Sequence, residues 1–256
     1  MKTILDKNPA ATDRRNQSDG KLRDSYDEVY RDEPEGLSKL SLGRWPRNRW
    51  EALVHAFPPD AGSVLEIGCG NGIVLHHVAD RCRELAGIEI AVNRCRVAEK
   101  NLADLEKPVE IISGNIERGI DKADGSFDVI MWADVIEHVV DLFAAMREIH
   151  RLLAPGGTLL TATPNVAYLP RRLQLLRGRF PGTSAAQEGF GVRPGEMYDG
   201  GHLHYFTCSS LKRLYRQFGF QVVRTVGFGR VLGRLRSLWP SLLSGSALLV
   251  GKKTAA

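Results

Sequence analysis

No stretch of this sequence approaches the roughly 18 consecutive apolar residues of a membrane span, and residues 1–20, MKTILDKNPAATDRRNQSDG, lack the apolar centre of a secretion signal. The four cysteines (Cys69, Cys82, Cys95 and Cys208) form no CxxC pair and no even ladder, which argues against a disulfide framework or a zinc–cysteine site and suits a reducing compartment. No internal repeat is visible. These absences lead to the expectation of a cytoplasmic protein. Its 256 residues, 43% of them hydrophobic, suffice for one main fold with a full core.

Charge is present but unevenly placed. The formal net charge is +5, yet residues 165–256 hold 14 Lys and Arg against 3 Asp and Glu, while residues 1–164 hold 21 against 27. A basic final third suits an acidic small molecule, a phospholipid surface or nucleic acid. Nucleic acid is the weakest of these, because no aromatic stacking platform accompanies the arginines.

Residues 1–24 are polar and read as a disordered tail. Over 25–59, Tyr26, Tyr30, Leu37, Leu40, Trp50, Leu53, Val54 and Phe57 recur at helical spacing, which predicts a two-helix lid or brace. From residue 60 onward, short apolar runs alternate with amphipathic stretches: SVLEIG, a helix over 72–83, ELAGIE, a helix over 91–104, VEIISG, FDVIMW, a helix over 141–153, and GTLLTAT. That rhythm predicts an α/β fold whose parallel sheet is buried on both faces. Residues 164–208, with Pro164, Pro170, Pro181 and Pro194, interrupt the rhythm as an insertion carrying a short basic helix over 171–179. A helix over 209–218, a strand over 220–226, a basic helix over 230–243 and a strand over 247–250 close the chain, and the two strands are expected to pair antiparallel at the sheet edge.

The sharpest signal is VLEIGCGNG at 64–72. Glycine tolerates positive φ and lets a ligand approach the backbone, and the helix that follows offers free N–H groups. A dinucleotide fingerprint, GxGxxG, needs glycine where this chain has Ile73. Glu66 before the turn would repel a pyrophosphate and attract a ligand bearing an amino group and a sulfonium. Glu89, 21 positions past Gly68, closes the second strand and is suited to accept both hydroxyls of a ribose. Asn115 and Ile116, after the third strand, are placed to hold the edge and face of an adenine.

VLEIGCGNG, GIEI, SGNIE, FDVIMWADVIEHV, LLAPGGTLLTATPN and HLHYFT…LYRQFGF together resemble the motif series of class I S-adenosylmethionine-dependent methyltransferases, most of all the group holding the ubiquinone-pathway O-methyltransferases and MetW-like proteins. The resemblance runs from about residue 63 to 250. It implies a Rossmann-like seven-stranded mixed sheet, last strand antiparallel, with helices on both faces, and S-adenosylmethionine as cofactor. The implied cofactor crevice comprises Glu66, Gly68, Cys69, Gly70, Gly72, Glu89, Ile90, Asn115, Ile116 and Ala133, with Tyr26 or Tyr30 as a cap. One departure from the family is Asn115, where an acid is usual.

The acceptor is expected to be a small, lipid-linked or glycosidic molecule methylated on oxygen. Candidate bases are His138, just past the fourth strand, and His202 and His204 in GGHLHYFT beyond the fifth. In some relatives an acid-x-x-Glu-His motif with a later histidine binds a divalent metal. The matching positions are Asp134, Glu137, His138 and His204, with Asp134 one carbon shorter than the usual Glu, and no metal site is assigned on that basis. The insertion is expected to cover the acceptor pocket, where Arg171, Arg172, Arg177 and Arg179 would grip anionic groups and the interleaved Leu173, Leu175, Leu176 and Phe180 would permit contact with a lipid headgroup surface. The rival functions are metal-assisted 2′-O-methylation of RNA 3′ ends and a non-catalytic cofactor-binding scaffold. Oligomeric state is open.

Overall fold

The structure, a computed structural model, describes residues 20–184, 201–231 and 233–254. A helix over residues 20–29 (α1) is followed by irregular chain and by α2 (Arg49–Ala56), whose first turn is capped by the Asn48 side chain accepting from the Glu51 N–H at 2.9 Å. Two helices thus precede the sheet, and helix α1 already includes residues 20–24, which were expected to belong to the tail. Residues 1–19 lie outside the described chain.

Seven strands follow: β1 (Ala61–Ile67), β2 (Cys82–Glu89), β3 (Val109–Ser113), β4 (Phe127–Ala133), β5 (Leu153–Pro164), β6 (Phe220–Gly227) and β7 (Ser246–Lys253). They form one sheet in the order β3-β2-β1-β4-β5-β7-β6. The first five are parallel, and β7 runs antiparallel to both of its neighbours. The two closing strands do pair antiparallel, but β7 inserts between β5 and β6, so β6 is the edge. Ala247, Leu248, Leu249 and Val250, apolar in succession, are buried as an interior strand requires.

Helices α3 (Ile73–Val78), α4 (Val92–Leu102), α5 (Leu142–Leu152), α6 (Leu169–Leu176), α7 (Cys208–Gln217), α8 (Gly233–Leu238) and α9 (Pro240–Leu243) complete the described elements, with short 3-10 turns at Ala79–Arg81 and Ile116–Arg118. Successive side chains of each strand point to opposite faces and feed two cores. Val64, Val129, Met131 and Leu160 join Leu53, Val74, Leu75 and Leu102 on the side of α2 and α3. Leu65, Ile67, Ile130, Trp132 and Leu159 join Met146, Ile149, Leu214 and Tyr215 on the side of α5 and α7. Each such side chain, fully withdrawn from water, contributes about 1.5–3 kcal/mol. The second core carries one polar chain: the Trp132 indole N–H donates to Thr161 Oγ1, which lies 2.6 Å from the Tyr215 hydroxyl, so three buried polar groups satisfy one another.

Three helix boundaries differ from expectation, each for a local reason. The helix over 72–83 stops at Val78 and tightens to a 3-10 turn, because β2 begins at Cys82. The helix over 171–179 starts two residues earlier, since Pro170 sits in its first turn where no N–H is needed, and Gly178, at φ 70°, ends it. The helix over 230–243 is split into α8 and α9 at Pro240, which opens the second piece.

Candidate cofactor and acceptor site

Strand order reverses between β1 and β4, and the crevice there is lined by the turn after β1. The turn runs through Gly68 at φ 67° and Gly70 at φ 55°, conformations that L side chains rarely adopt. A Cβ on Gly68 would lie 2.4 Å from Val135 Cγ2, and one on Gly70 would lie 2.9 Å from the Arg94 guanidinium. Gly72 precedes α3 and caps it without a side chain. Cys69 is buried with its Sγ against Gly87, so its side chain packs the core and only its backbone faces the turn.

Two carboxylates flank this turn and differ in how they are satisfied. Glu89, at the end of β2, accepts from Gly70 N at 3.0 Å, Ile90 N at 2.8 Å and Ala91 N at 3.1 Å. A carboxylate offers about four acceptor positions, so Oε2 has room for one further donor, where two had been expected. Glu66 on β1 is buried, and its Oε2 has no partner among the described residues. Burial, reinforced by nearby Glu89, pushes its carboxyl well above the usual range. Such a group calls for a cationic or hydrogen-bond-donating ligand group. Asn115 spends Oδ1 on the Glu117 N–H at 3.0 Å, capping the turn that holds buried Ile116, so its amide nitrogen rather than its oxygen is the uncommitted end. Ile90 and Ala133, half-buried at the ends of β2 and β4, border the same crevice. The glycine cradle, the unsatisfied buried acid and the second acid on the next strand fit S-adenosylmethionine, which carries an ammonium, a sulfonium and ribose hydroxyls.

The N-terminal segment is strapped along α4 beside this turn. Asp27 accepts from Asn93 N at 3.1 Å, Glu33 pairs with Arg94 at 3.3 Å, Glu35 pairs with Lys100, and Gly36 N donates to Asn101 Oδ1 at 2.8 Å. The Arg94 guanidinium lies 4.0 Å from the centre of the Tyr30 ring, and Tyr26 stacks on Tyr30. The tyrosines expected to cap the cofactor therefore reach the turn through an arginine that the sequence reading did not single out.

On the other side of the β4 end, residues 134–140 form a turn rather than a helix. Asp134, at φ 52°, pairs with Arg49 of α2 at 2.7 Å, and His204 donates from Nε2 to the Val139 carbonyl at 2.9 Å. Neither joins the cluster that forms, which is Glu137, His138 and His202, with ligand atoms all within 4.8 Å of one another. The residues brought together thus differ from the set Asp134, Glu137, His138 and His204 that matches the relatives' motif, since residues 134–140 do not form a helical turn that would align them. His138 Nδ1 donates to the Gly201 carbonyl at 3.2 Å, its ring meets that of His202 edge-on at 4.7 Å, and His202 Nδ1 lies 2.6 Å from Thr183 Oγ1. Buried Glu137 accepts from Thr163 Oγ1 at 2.9 Å, and burial, then the charge of Asp134, pushes its carboxyl up to about 8.

The insertion adjoins this cluster. Arg171 of α6 donates to the carbonyls of Asn165, Gly182, Thr183 and Gly245, and so serves structure rather than gripping a ligand. The Arg236 guanidinium of α8 lies 5.9 Å from the Tyr168 ring, and Asn165 Nδ2 donates to the Ser241 and Ser244 carbonyls, so α6 sits beside α8 and α9. Phe180 meets Tyr205 edge-on at 5.4 Å. Helix α6 buries none of its residues: Leu176 is 83% exposed, and on α8 and just after it Leu238 and Trp239 are 74% and 58% exposed. Residues 169–182 and 229–246 contain seven arginines and no acid. The remainder of the insertion, residues 185–200, lies outside the described chain.

A sheet of this order, with a glycine turn and an acid on each of the first two strands, defines a nucleoside-cofactor α/β protein of the methyltransferase type. Residues 42–225 match the family model described as methyltransferase domain. The chain belongs to that family, the class I S-adenosylmethionine-dependent methyltransferases. Among curated relatives it is 34% identical over 124 residues to a ubiquinone biosynthesis O-methyltransferase of Methylobacterium nodulans, a match covering 48% of this chain and 47% of that one. It is 29% identical over 149 residues to the protein of the same name from Idiomarina loihiensis, covering 52% and 61%. The chain thus spans about half the length of the curated relatives it matches. Among solved structures, an S-adenosylmethionine-dependent methyltransferase of Methanosarcina mazei shares the fold with TM-score 0.56 at 22% identity, covering 80% of this chain and 98% of that one. One from Thermotoga maritima gives 0.52 at 20% identity, covering 79% and 86%. No helix among the described residues is long and apolar enough to cross a membrane.

Proposed function

We propose that this chain methylates an oxygen of a small, lipid-linked or glycosidic acceptor, with His138 as the base. The cofactor, when bound, supplies an electrophilic methyl carbon. The protein's own task is to hold the acceptor and take its proton. The observation that carries the reading is the Glu137–His138–His202 cluster at the carboxyl ends of β4 and β5. His138 commits the proton on Nδ1 to Gly201, which makes Nε2 its basic nitrogen. Glu137, whose carboxyl is raised by burial and by the charge of Asp134, accepts from Thr163 and serves to hold the loop. The curated relatives named for ubiquinone biosynthesis support an oxygen acceptor of small size.

The lipid-linked variant draws support from the face made by α6, α8 and α9. Exposed leucines and Trp239, interleaved with arginines and free of acids, suit an anionic headgroup surface beside the acceptor opening. Co-sedimentation with phosphatidylglycerol vesicles, absent with phosphatidylcholine alone, would support this contact; equal or no binding to both would remove it.

The reaction is tested by incubating the purified chain with methyl-labelled cofactor and fractionated lysate, then identifying the labelled product by mass spectrometry. His138→Gln should lower turnover by about 10²–10⁴-fold with cofactor affinity unchanged. Label on a nitrogen or carbon, or undiminished turnover, would overturn the assignment. The close packing of Glu137, His138 and His202 also favours a second reading, a divalent metal that activates the acceptor hydroxyl. Calorimetric binding of Mn²⁺ that is lost in His202→Ala would select it, and with it the RNA 2′-O-methylation rival.

A further inference from the structure

We propose that Arg94 takes the carboxylate of the cofactor's amino-acid end and so completes a receptor for that zwitterion with Glu66, already expected to face the ammonium, while Tyr30 and Glu33 are the positioning residues that hold the arginine. The proposal rests on the cofactor of the family and assigns a role to α4 and to the N-terminal strap.

Arg94 lies directly over the glycine turn, its Nη2 2.9 Å and its Cζ 3.1 Å from where a Gly70 Cβ would stand. Among the described residues, the side-chain atoms left buried and without a hydrogen-bond partner include one at each side of this turn: Arg94 Nε and Glu66 Oε2. One belongs to a cation and the other to an acid. Leaving either unsatisfied in a buried position is costly, and a single ligand carrying both an ammonium and a carboxylate satisfies both at once. The two residues sense each other, since the Arg94 charge counteracts the upward push of burial on the Glu66 carboxyl.

The remaining contacts of Arg94 leave most of its donors unused. Glu33 engages Nη2 alone at 3.3 Å, and the Tyr30 ring takes the face of the guanidinium rather than its edge. Glu89 is already occupied by three backbone N–H groups. A guanidinium carries five donors in a planar fork suited to a carboxylate, and stacking on an aromatic ring fixes its plane without consuming them. Asp27 and Glu35, bonded to α4 at Asn93 and Lys100, pin the strap on both sides of this contact.

The test is calorimetric titration of the full chain with S-adenosylhomocysteine and with 5′-methylthioadenosine, which keeps the thioether nucleoside but lacks the amino acid. Arg94→Leu should weaken S-adenosylhomocysteine about 10- to 100-fold and leave 5′-methylthioadenosine within about two-fold, the range of a lost charge-assisted hydrogen bond. Arg94→Lys should fall between, and Tyr30→Ala should give a smaller loss confined to S-adenosylhomocysteine. Equal loss of both ligands, or unchanged or tighter S-adenosylhomocysteine binding, would overturn the proposal. Should Arg94→Leu fail to fold by circular dichroism, Tyr30→Ala decides by the same comparison. Wild-type chain that binds 5′-methylthioadenosine but gains nothing from the amino-acid end refutes the receptor alone, whereas wild-type chain that binds neither ligand refutes the cofactor assignment on which it rests.

Discussion

The two ends of the crevice are built on opposite plans. On the cofactor side, β1, β2 and α4 surround a turn of three glycines in which a Cβ at any one would meet a neighbour at 2.9 Å or less. On the acceptor side, a loop after β4 and the chain over 201–207 are joined by hydrogen bonds such as those of Leu203 N with the Glu137 carbonyl and of His138 with Gly201, and beside them lie a helix that buries nothing and the contact of Phe180 with Tyr205. The first plan leaves little freedom because all three glycines hold positive φ and the side chains of Val135, Arg94 and Leu102 close in on them. The second leaves the shape of the pocket to side chains on loops, where substitution costs the fold little. A common cofactor and a variable acceptor are served by that division.

The comparison is broken most directly at the turn. Gly70→Val places a β-branched side chain at φ 55° against Arg94 and disturbs the N–H that holds Glu89. Binding of S-adenosylhomocysteine should weaken by at least about 100-fold in calorimetry, the equivalent of about 3 kcal/mol; retained affinity would mean that the ligand lies elsewhere. Next in size is Tyr215→Phe in the core, which strips Thr161 of one buried partner and should reduce unfolding free energy by about 1–3 kcal/mol in denaturant titration.

Glu66→Gln separates stability from binding. The raised carboxyl means that the folded chain keeps a proton which the unfolded chain has released above the usual value of 4.5. The associated stability is fully present below that pH and is lost as pH rises toward the folded value. The variant should therefore melt with wild type at about pH 4 and above it at about pH 8, while losing affinity for S-adenosylhomocysteine. A parallel pH dependence in both proteins would show that Glu66 titrates normally. The smallest effect is expected on the acceptor side: Leu176→Ser with Leu238→Ser should shift stability by no more than about 0.5 kcal/mol, since both side chains are already in water. A larger loss would place those leucines in a packed interface.

The parallel sheet was legible because strands buried on both faces are mostly apolar, as VLEI, FDVIMW and GTLLTAT are, and alternate with amphipathic helices. The placing of Glu66, Gly68 and Gly70 at the first turn and of Glu89 at the end of the next strand was legible for a related reason: one strand–turn–helix–strand unit spans them, so their spacing is local. His138, His202 and His204 were all legible as candidates, but which of the last two meets His138 was not, because period-two alternation in GGHLHYFT offers both histidines to one face, and only the loop's path decides. Arg94 was hidden for a different reason, since its partners Tyr30 and Glu33 lie about sixty residues away and nothing in either segment alone marks the meeting.

Residue order by itself thus determined the sheet, its covering helices and the cofactor turn, because each depends on interactions between neighbours in the chain or on the binary choice of core against water. The tertiary structure alone decided the insertion of β7 before β6, the grouping of Glu137 with His138 and His202, and the seating of Arg94 over Gly70. These depend on distances between segments remote in sequence, and such distances exist only once the two cores have closed.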